Sequence, residues 1–471
     1  MPDFDLAVVG AGAAGLSVTA VAAQLGLRVA LVERGRMGGD CLNTGCVPSK
    51  ALLAAAHAAA AARAASPLGV LLPEPRIDWA AVRAHVAGAI ATIAPNDSAE
   101  RFTRLGAEVI AGSARFAGPD TLAIGARRLT ARRIVLAVGG RPAIPPIPGL
   151  AEVPFLTNET MFSLAEPPAH LLIIGGGPIG LEMAQAHAAL GAKVSVVEAA
   201  AIAGREDAEL AAGLRAALLA QGIALYERAR IDSVQPGPVI VLADGTRLSG
   251  SHLLVATGRR PNLEGLDLDQ GGVRAGPRGI ATDAGLRSLS NRRVFAAGDV
   301  ADPAGIGPRF FTHVGSYHAG IIVRRALFRL PARLDYRALP RVTYTDPELA
   351  QVGLTEAEAR EAGLRVVVRH AELAENDRAI AEGRREGMVK LVATPRGRVL
   401  GAGILAPHAG EMIGLWALAI AQRVNLGAVA SMILPYPTRS ESGKRAAASH
   451  FAPRLFAAGP RRLVRLLARL F

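Results

Sequence analysis

Short apolar runs recur along the chain in two matching arrangements. Leu6-Ala7-Val8-Val9 and Val29-Ala30-Leu31-Val32 flank one Ala/Leu-rich segment, and Leu171-Leu172-Ile173-Ile174 and Val194-Ser195-Val196-Val197 flank another. Continuous runs of this length, rich in branched residues, predict buried parallel strands, and the segments between them predict helices. The expected fold class is α/β, with one strand–helix–strand unit written twice. Ala-rich stretches at about 50–65 and 77–105 predict two further helices. From about Leu339 the pattern changes. Strands are expected at 341–345, 365–369, 387–393 and 399–405, and helices at 410–423 and 426–432. Thr355-Glu356-Ala357-Glu358 reads as a capping box opening a helix that runs to Gly363. This last region is an α+β unit.

Each early unit carries a glycine turn. Val9 leads into Gly10-Ala11-Gly12-Ala13-Ala14-Gly15, and Ile174 into Gly175-Gly176-Gly177-Pro178-Ile179-Gly180. Glu33 and Glu198 each lie eighteen residues beyond the third glycine of their own turn. Such glycines allow a tight turn and close backbone approach to a pyrophosphate. The helix that follows offers free N–H groups, and the acid can accept from a ribose hydroxyl. One glycine fingerprint is weak; two with matched acids are strong. A second echo supports duplication, because 133–142, ending around Gly139, resembles 252–261, ending around Gly258. The run 293–300 reads as a strand ending in Gly298-Asp299, where an acid would face the ligand crevice.

Composition narrows the classes. The formal charge is +13, but the arginines are dispersed and aromatics make up 4%, so no nucleic-acid surface is expected. No run of eighteen apolar residues appears, and Asp3 and Asp5 argue against a signal peptide. With free thiols, this points to the cytoplasm. The end of the chain stands apart. After Glu441 there is no acid, and a helix from Gly459-Pro460 would carry Leu463, Leu466, Leu467 and Leu470 beside Arg461, Arg462, Arg465 and Arg469. Such a helix can lie on an anionic bilayer or pack on a dimer.

The two cysteines of the chain, Cys41 and Cys46, fall within Gly38-Gly39-Asp40-Cys41-Leu42-Asn43-Thr44-Gly45-Cys46-Val47-Pro48-Ser49-Lys50. Two thiols are too few for a disulfide scaffold and lack the partners of a structural zinc site. Buried small hydrophobes or a reversible dithiol couple remain, and the glycines, proline and lysine around the pair favour the couple. The chain has only four lysines, so Lys50 beside the pair is notable as a mobile point charge able to lower a thiol pKa. Further on, Pro435 and Pro437 frame Tyr436, and Thr438 and Glu441 follow.

These motifs, in this order over about residues 4–450, resemble the class I pyridine nucleotide–disulfide oxidoreductases, mercuric-reductase-like and dihydrolipoamide-dehydrogenase-like members above all. The resemblance implies two Rossmann-like domains and a C-terminal dimerisation domain, divided as 1–150 (FAD, with the redox helix), 151–280 (NAD(P)), 281–335 (return to the FAD domain), 336–452 (interface) and 453–471 (basic tail). It implies a homodimer through 340–450. Gly10, Gly12, Gly15, Glu33, Gly39, Ala114, Gly139, Gly298 and Asp299 would hold FAD. Gly175, Gly177, Gly180, Glu198 and Gly258 would hold the nicotinamide nucleotide. A carboxylate at Glu198 favours NADH over NADPH, while Arg205 is a cation placed to favour the phosphate. Cys46 would face the flavin, Cys41 would exchange with substrate, and Lys50 would bind near the flavin and pair with Glu182. Tyr436 occupies the position of the family's acid/base histidine, with Glu441 behind it. A phenol titrates near 10 and an imidazole near 6.5, so rapid thiol turnover at neutral pH is not expected. No third cysteine is present to deliver a metal. The implied activity is an NAD(P)H-driven, FAD-dependent reduction of a disulfide or other small acceptor, with no resident metal. Two alternatives stay open: a quinone or small-acceptor flavin reductase whose thiols only tune the flavin, and a membrane-peripheral FAD protein without turnover.

Overall fold

The structure is a computed structural model that describes residues 1–470. Its first sheet has a parallel core in the order Ala107–Ala111, Val29–Glu33, Phe4–Val9, Arg127–Leu136, Val294–Ala296. The last of these strands comes from far along the chain and pairs with the C-terminal half of Arg127–Leu136, Ile134↔Val294 to Leu136↔Ala296. The N-terminal half of the same long strand turns outward into an antiparallel meander with Thr121–Ile124 and Ala114–Gly118. Leu6, Val8, Ala30, Leu31, Ile134 and Val135 are at most 1% exposed, because they share one apolar core with helix Ala13–Gln24 and with Phe116, Leu122 and Leu129 of the meander.

The second sheet repeats this plan. Ala224–Glu227, Lys193–Glu198, His170–Ile174 and His252–Val255 run parallel, with a small antiparallel meander of Ile231–Gln235, Val239–Leu242 and Arg247–Ser249 beside them. The two echoes recognised in the sequence meet in space. Gly140–Pro142 and Arg259–Pro261 pair as an antiparallel ribbon, Arg141 opposite Arg260. The third sheet is antiparallel, in the order Pro340–Thr343, Glu348–Gly353, Val399–Ala406, Met388–Ala393, Val367–Glu372. Helices Ala409–Ala421 and Ser440–Ser449 cover it, and Trp416 is buried between them and the sheet.

Between the second and third strands of the duplicated plan, Val29–Glu33 and Ala107–Ala111, lies the extra material of the first unit. Gly39–Asn43 is a short helix, and after Thr44-Gly45 the helix Cys46–Arg63 begins. This helix packs between helix Trp79–Ile93 of its own unit and helix Pro178–Ala189 of the second. Leu52, Leu53 and Ala56 share one apolar cluster with Leu181 and Ala184 of the second unit. Each such leucine contributes about 1.5–3 kcal/mol by burial, so the helix is anchored to both units.

Several boundaries differ from expectation. The helix expected at 77–105 is three pieces: Trp79–Ile93, a tight turn Ala94–Asp97, and Ala99–Arg104. Pro95 has no N–H to continue the ladder, and Ser98 restarts the helix by accepting from the Arg101 N–H at 3.2 Å. The strand expected from 387 starts at Met388, because Gly387 sits at φ +112 and a Cβ there would lie 1.9 Å from the Leu405 carbonyl oxygen. The capping box forms as read, Thr355 and Glu358 satisfying each other's backbone N–H groups. The tail forms helices Ala452–Leu455 and Ala458–Leu467, with 453–470 exposed throughout.

Candidate active site

A single cleft of about 3320 Å³ runs between the sheets and the third unit. Both glycine turns open onto it, and they are built alike. Gly10 (φ +103) and Gly175 (φ +117) each place a hypothetical Cβ 2.4 Å from a backbone oxygen, Ala137 and Ala256 respectively. Only glycine fits either turn. Gly12 has no atom closer than 3.8 Å to its hypothetical Cβ, and Gly177 none within 4 Å. Nothing in the protein's own packing demands glycine at these two positions, and both line the cleft. A cradle left open in this way fits a pyrophosphate pressed against backbone N–H groups.

Gly15 and Gly180 do not line the cleft, contrary to their expected role as contacts. Their hypothetical Cβ atoms would lie 1.9 Å from the Gly10 oxygen and 2.0 Å from the Gly175 oxygen, so they let helix approach strand. Gly39, Ala114, Gly139, Gly258 and Gly298 do line it. Glu33 accepts from the N–H groups of Ala11 and Gly35 (2.6 and 2.7 Å), and Glu198 from those of Gly176 and Ala200 (2.7 and 2.8 Å). The two carboxylates thus occupy the same place in each unit.

Cys46 is the first residue of its eighteen-residue helix, where free N–H groups favour negative charge. Its Sγ lies 3.2 Å from Oγ1 of Thr312, which opens the helix Thr312–Ile322, so two helix N-termini meet at one sulfur. The Cys46 thiol is lowered to about 6. The Cys41 thiol donating to it is the main cause, followed by the Thr312 hydroxyl and the charge of Lys50, against burial and Asp40. Cys41 is pushed up by the same hydrogen bond and by burial. A pair arranged in this way keeps one proton on Cys41 and one negative charge on Cys46.

Lys50 Nζ binds Glu182 Oε2 at 2.7 Å and sits 4.4 Å from the ring centre of Tyr344. The other oxygen of Glu182 accepts from the Tyr344 N–H at 3.0 Å. Glu182 is 4% exposed, so this bridge ties all three units together below the thiols. A second bridge lies beside Cys41. Arg259 reaches Asp40 at 3.0 Å and Asp299 at 3.1 Å, and Asn158 donates to Asp40 at 2.9 Å. Asp299 therefore has one oxygen committed to a guanidinium.

Tyr436 and Glu441 do not reach this cleft in their own subunit. Tyr436 is 70% exposed and its hydroxyl donates to Asp377 at 2.7 Å, while Glu441 accepts from the Thr438 N–H at 3.2 Å. Four residues at the site carried no functional reading in the sequence: Thr312, Tyr344, Asp40 and Arg259. The last two lie inside motifs already singled out, and a charged residue next to a cysteine of the pair was a usable signal. Thr312 and Tyr344 gave none, because only tertiary packing brings them to Cys46 and Lys50.

A family model described as pyridine nucleotide-disulphide oxidoreductase matches residues 4–324, and the dimerisation domain of the same description matches 339–447. The mercuric reductase of Streptomyces lividans is 38% identical over 462 residues, covering 94% of this chain and 95% of that protein. The dihydrolipoyl dehydrogenase of Geobacillus stearothermophilus is 33% identical over 463 residues, covering 94% and 96%. Among solved structures, LpdA from Mycobacterium tuberculosis superposes with a TM-score of 0.84 at 27% identity, covering 96% of this chain and 100% of that one. The HOCl-induced flavoprotein disulfide reductase RclA from Escherichia coli gives 0.83 at 25% identity, covering 94% and 99%.

Proposed function

The chain belongs to the pyridine nucleotide-disulphide oxidoreductase family and is an FAD- and NAD(P)H-dependent oxidoreductase acting on a sulfur group, and we propose that Cys41 and Cys46 are its redox pair and NADH its preferred reductant. The observation that carries the assignment of the pair is the Cys46 sulfur, which faces the cleft at two helix N-termini with its pKa lowered to about 6. When bound, FAD supplies the two-electron relay between nicotinamide and disulfide. The protein supplies the rest. Reducing the disulfide with two electrons and one proton leaves Cys46 as thiolate and Cys41 as thiol. Lys50, held by Glu182, keeps a cation beside the thiolate. Cys41, giving its proton to a base, then attacks an acceptor disulfide and expels one of its sulfurs as thiolate, and the Cys46 thiolate attacks the Cys41 sulfur of the mixed disulfide, re-forming Cys41–Cys46 and releasing the second thiolate. Glu198 supports NADH, since a second anion at the 2′ position would meet its carboxylate.

Attack by Cys41 needs a base for its proton, and Tyr436 of the same chain faces elsewhere. We infer that the working unit is a homodimer joined through residues 339–447 and that the partner copy brings this loop to the cleft. A phenol whose pKa Asp377 raises further is a poor base at neutral pH, so small acceptors needing no thiol deprotonation fit better than bulky disulfides. The S. lividans relative is named for mercury. Here both cysteines of the chain lie in the redox turn, leaving no third thiol to hand over a metal. Anaerobic titration with NADH, then a panel of disulfides, quinones and Hg(II), tests this reading. Disulfide turnover should vanish in Cys41→Ser. If quinone turnover alone is substantial and survives in that variant, the thiols only tune the flavin.

The tail supports a weaker association with anionic lipid. Leu463, Leu466, Leu467 and Leu470 are each at least 45% exposed beside four arginines. Binding to anionic vesicles should weaken with salt and disappear on truncation after Ala458. Equal, poor flotation of both forms at low salt would rule it out.

A further inference from the structure

Away from the cleft, beside the edge strand Val294–Ala296 of the first sheet, lies a recess of about 790 Å³, a size typical of ligand pockets. Six of its thirteen lining residues are arginines: Arg133, Arg287, Arg292, Arg325, Arg329 and Arg333. Lys and Arg together make up 53 of 471 residues in the chain, so the recess is enriched about fourfold. A single acid, Asp283, lines it, and that acid is already used. Its oxygens take Arg325 at 3.1 and 3.2 Å, Arg287 lies 3.9 Å away, and the N–H groups of Gly285 and Arg287 also bind it. Among the described residues, no carboxylate lies within ion-pair distance of Arg133, Arg292, Arg329 or Arg333. Burial, and then the neighbouring cations Arg293, Arg329 and Arg287, push the Arg133 pKa down, the direction expected of a cation among cations.

The backbone around the recess is irregular in three places. Leu286 (φ +67) and Arg329 (φ +56) are non-glycine residues in the left-handed region, and Val323–Leu327 is a π-turn. Irregularities of these kinds gather at binding sites, where strain is retained for a purpose. Gly285 is part of the same design, since a Cβ there would overlap the Arg325 guanidinium at 1.5 Å.

We propose that this recess binds a multiply charged phosphate-type anion, an inorganic or nucleoside polyphosphate in solution or a phosphorylated lipid headgroup at a surface. Guanidinium forks match phosphate oxygens two at a time, and several converging on a concave surface favour polyphosphate over a single small anion. Nothing in the redox reaction uses this site.

The test uses the FAD-loaded protein with saturating NAD⁺, so that the dinucleotide cleft is occupied. Inorganic tripolyphosphate should raise the thermal midpoint and bind at least about tenfold more tightly than sulfate at matched ionic strength. Arg133→Gln, Arg292→Gln and Arg329→Asn should each weaken binding by about tenfold or more, with the KM for NADH unchanged. Asn tolerates the left-handed backbone at 329, so that variant separates lost charge from lost fold. Vesicles carrying a phosphorylated headgroup identify the source. Flotation lost in the same variants assigns a lipid, and binding confined to tripolyphosphate assigns a free ligand. Equal effects of sulfate and tripolyphosphate, or tripolyphosphate binding undiminished in all three variants, would overturn the proposal.

Discussion

The two dinucleotide-type units are nearly the same object up to the end of their second strand, and they diverge in what each adds. Both hold a glycine at positive φ against a backbone oxygen at 2.4 Å, and both use a strand-end glutamate to take two backbone N–H groups. The first unit adds residues 39–104, with the thiols at the start. The second adds nothing comparable, yet it contributes Glu182 and Arg259 to the site that the first unit's addition builds. The shared part is a scaffold for holding nucleotides. On the proposed function, the chemistry sits in the unshared segment and in the side chains that cross to it.

The comparison can be broken most severely at the glycines. In Gly10→Ala a methyl would meet the Ala137 oxygen at positive φ, at a cost of about 1–3 kcal/mol in strain before any clash. That variant should be colourless or insoluble. Gly175→Ala repeats the collision in the second unit and should stay yellow while losing reduction by NADH. Identical phenotypes, scored by flavin absorbance and NADH titration, would mean that the units do not divide the two nucleotides between them.

Next in size is Cys46→Ser. It should reduce disulfide turnover on the order of 10³-fold or more while flavin reduction by NADH persists. It should also abolish the long-wavelength absorbance expected of a thiolate beside oxidised flavin. A two-electron-reduced spectrum identical to wild type would remove Cys46 from the redox pair.

Lys50→Gln probes what the second unit lends to the first. With its pKa lowered to about 6, the Cys46 thiolate is present above that pH and lost below it. Iodoacetamide labelling of the reduced protein should therefore fall as pH drops through about 6. In the variant the midpoint should move up toward the usual thiol range near 8.5, because one of the favourable charges is gone. An unmoved midpoint would show that Lys50 acts only as a strut for Glu182. The smallest effect belongs to Glu198→Ala, which should narrow the preference for NADH over NADPH by about tenfold, the worth of one unfavourable charge contact. A wild-type preference for NADPH would transfer the 2′ site to Arg205.

What could be read in advance follows the same division. Strand, glycine turn, helix, strand and acid are local patterns, each enforced by sterics within about thirty residues, so the duplicated plan was visible in 6–33 and 171–198. So was the capping box at Thr355. The break at Pro95 was also local and was missed because alanine periodicity outweighed a single proline. Thr312 and Tyr344 belong to another kind of information. They reach Cys46 and Lys50 across more than 260 residues, and nothing in their neighbours along the chain marks them. Tyr436 shows the converse. Its motif was legible, but its own subunit does not place it at the thiols.

The ribbon formed by Gly140–Pro142 and Arg259–Pro261 carries a consequence for how such a protein can change. The chain leaves the first unit along one strand and comes back along its neighbour, with the Ala143 N–H bonded to the Gly258 oxygen at 2.9 Å. The polypeptide enters and leaves the second unit through a neck two strands wide, while Leu181, Ala184 and Glu182 pack that unit on the rest. The second unit is thus a cassette, with its entry and exit close enough to be joined by a short turn. An exchange for a homologous unit would leave the path of the host chain unchanged, provided the new unit keeps a glutamate for Lys50 and an apolar face for Leu52 and Leu53. A lineage that needed a new electron donor would have one pair of chain crossings to join and one shared face to preserve.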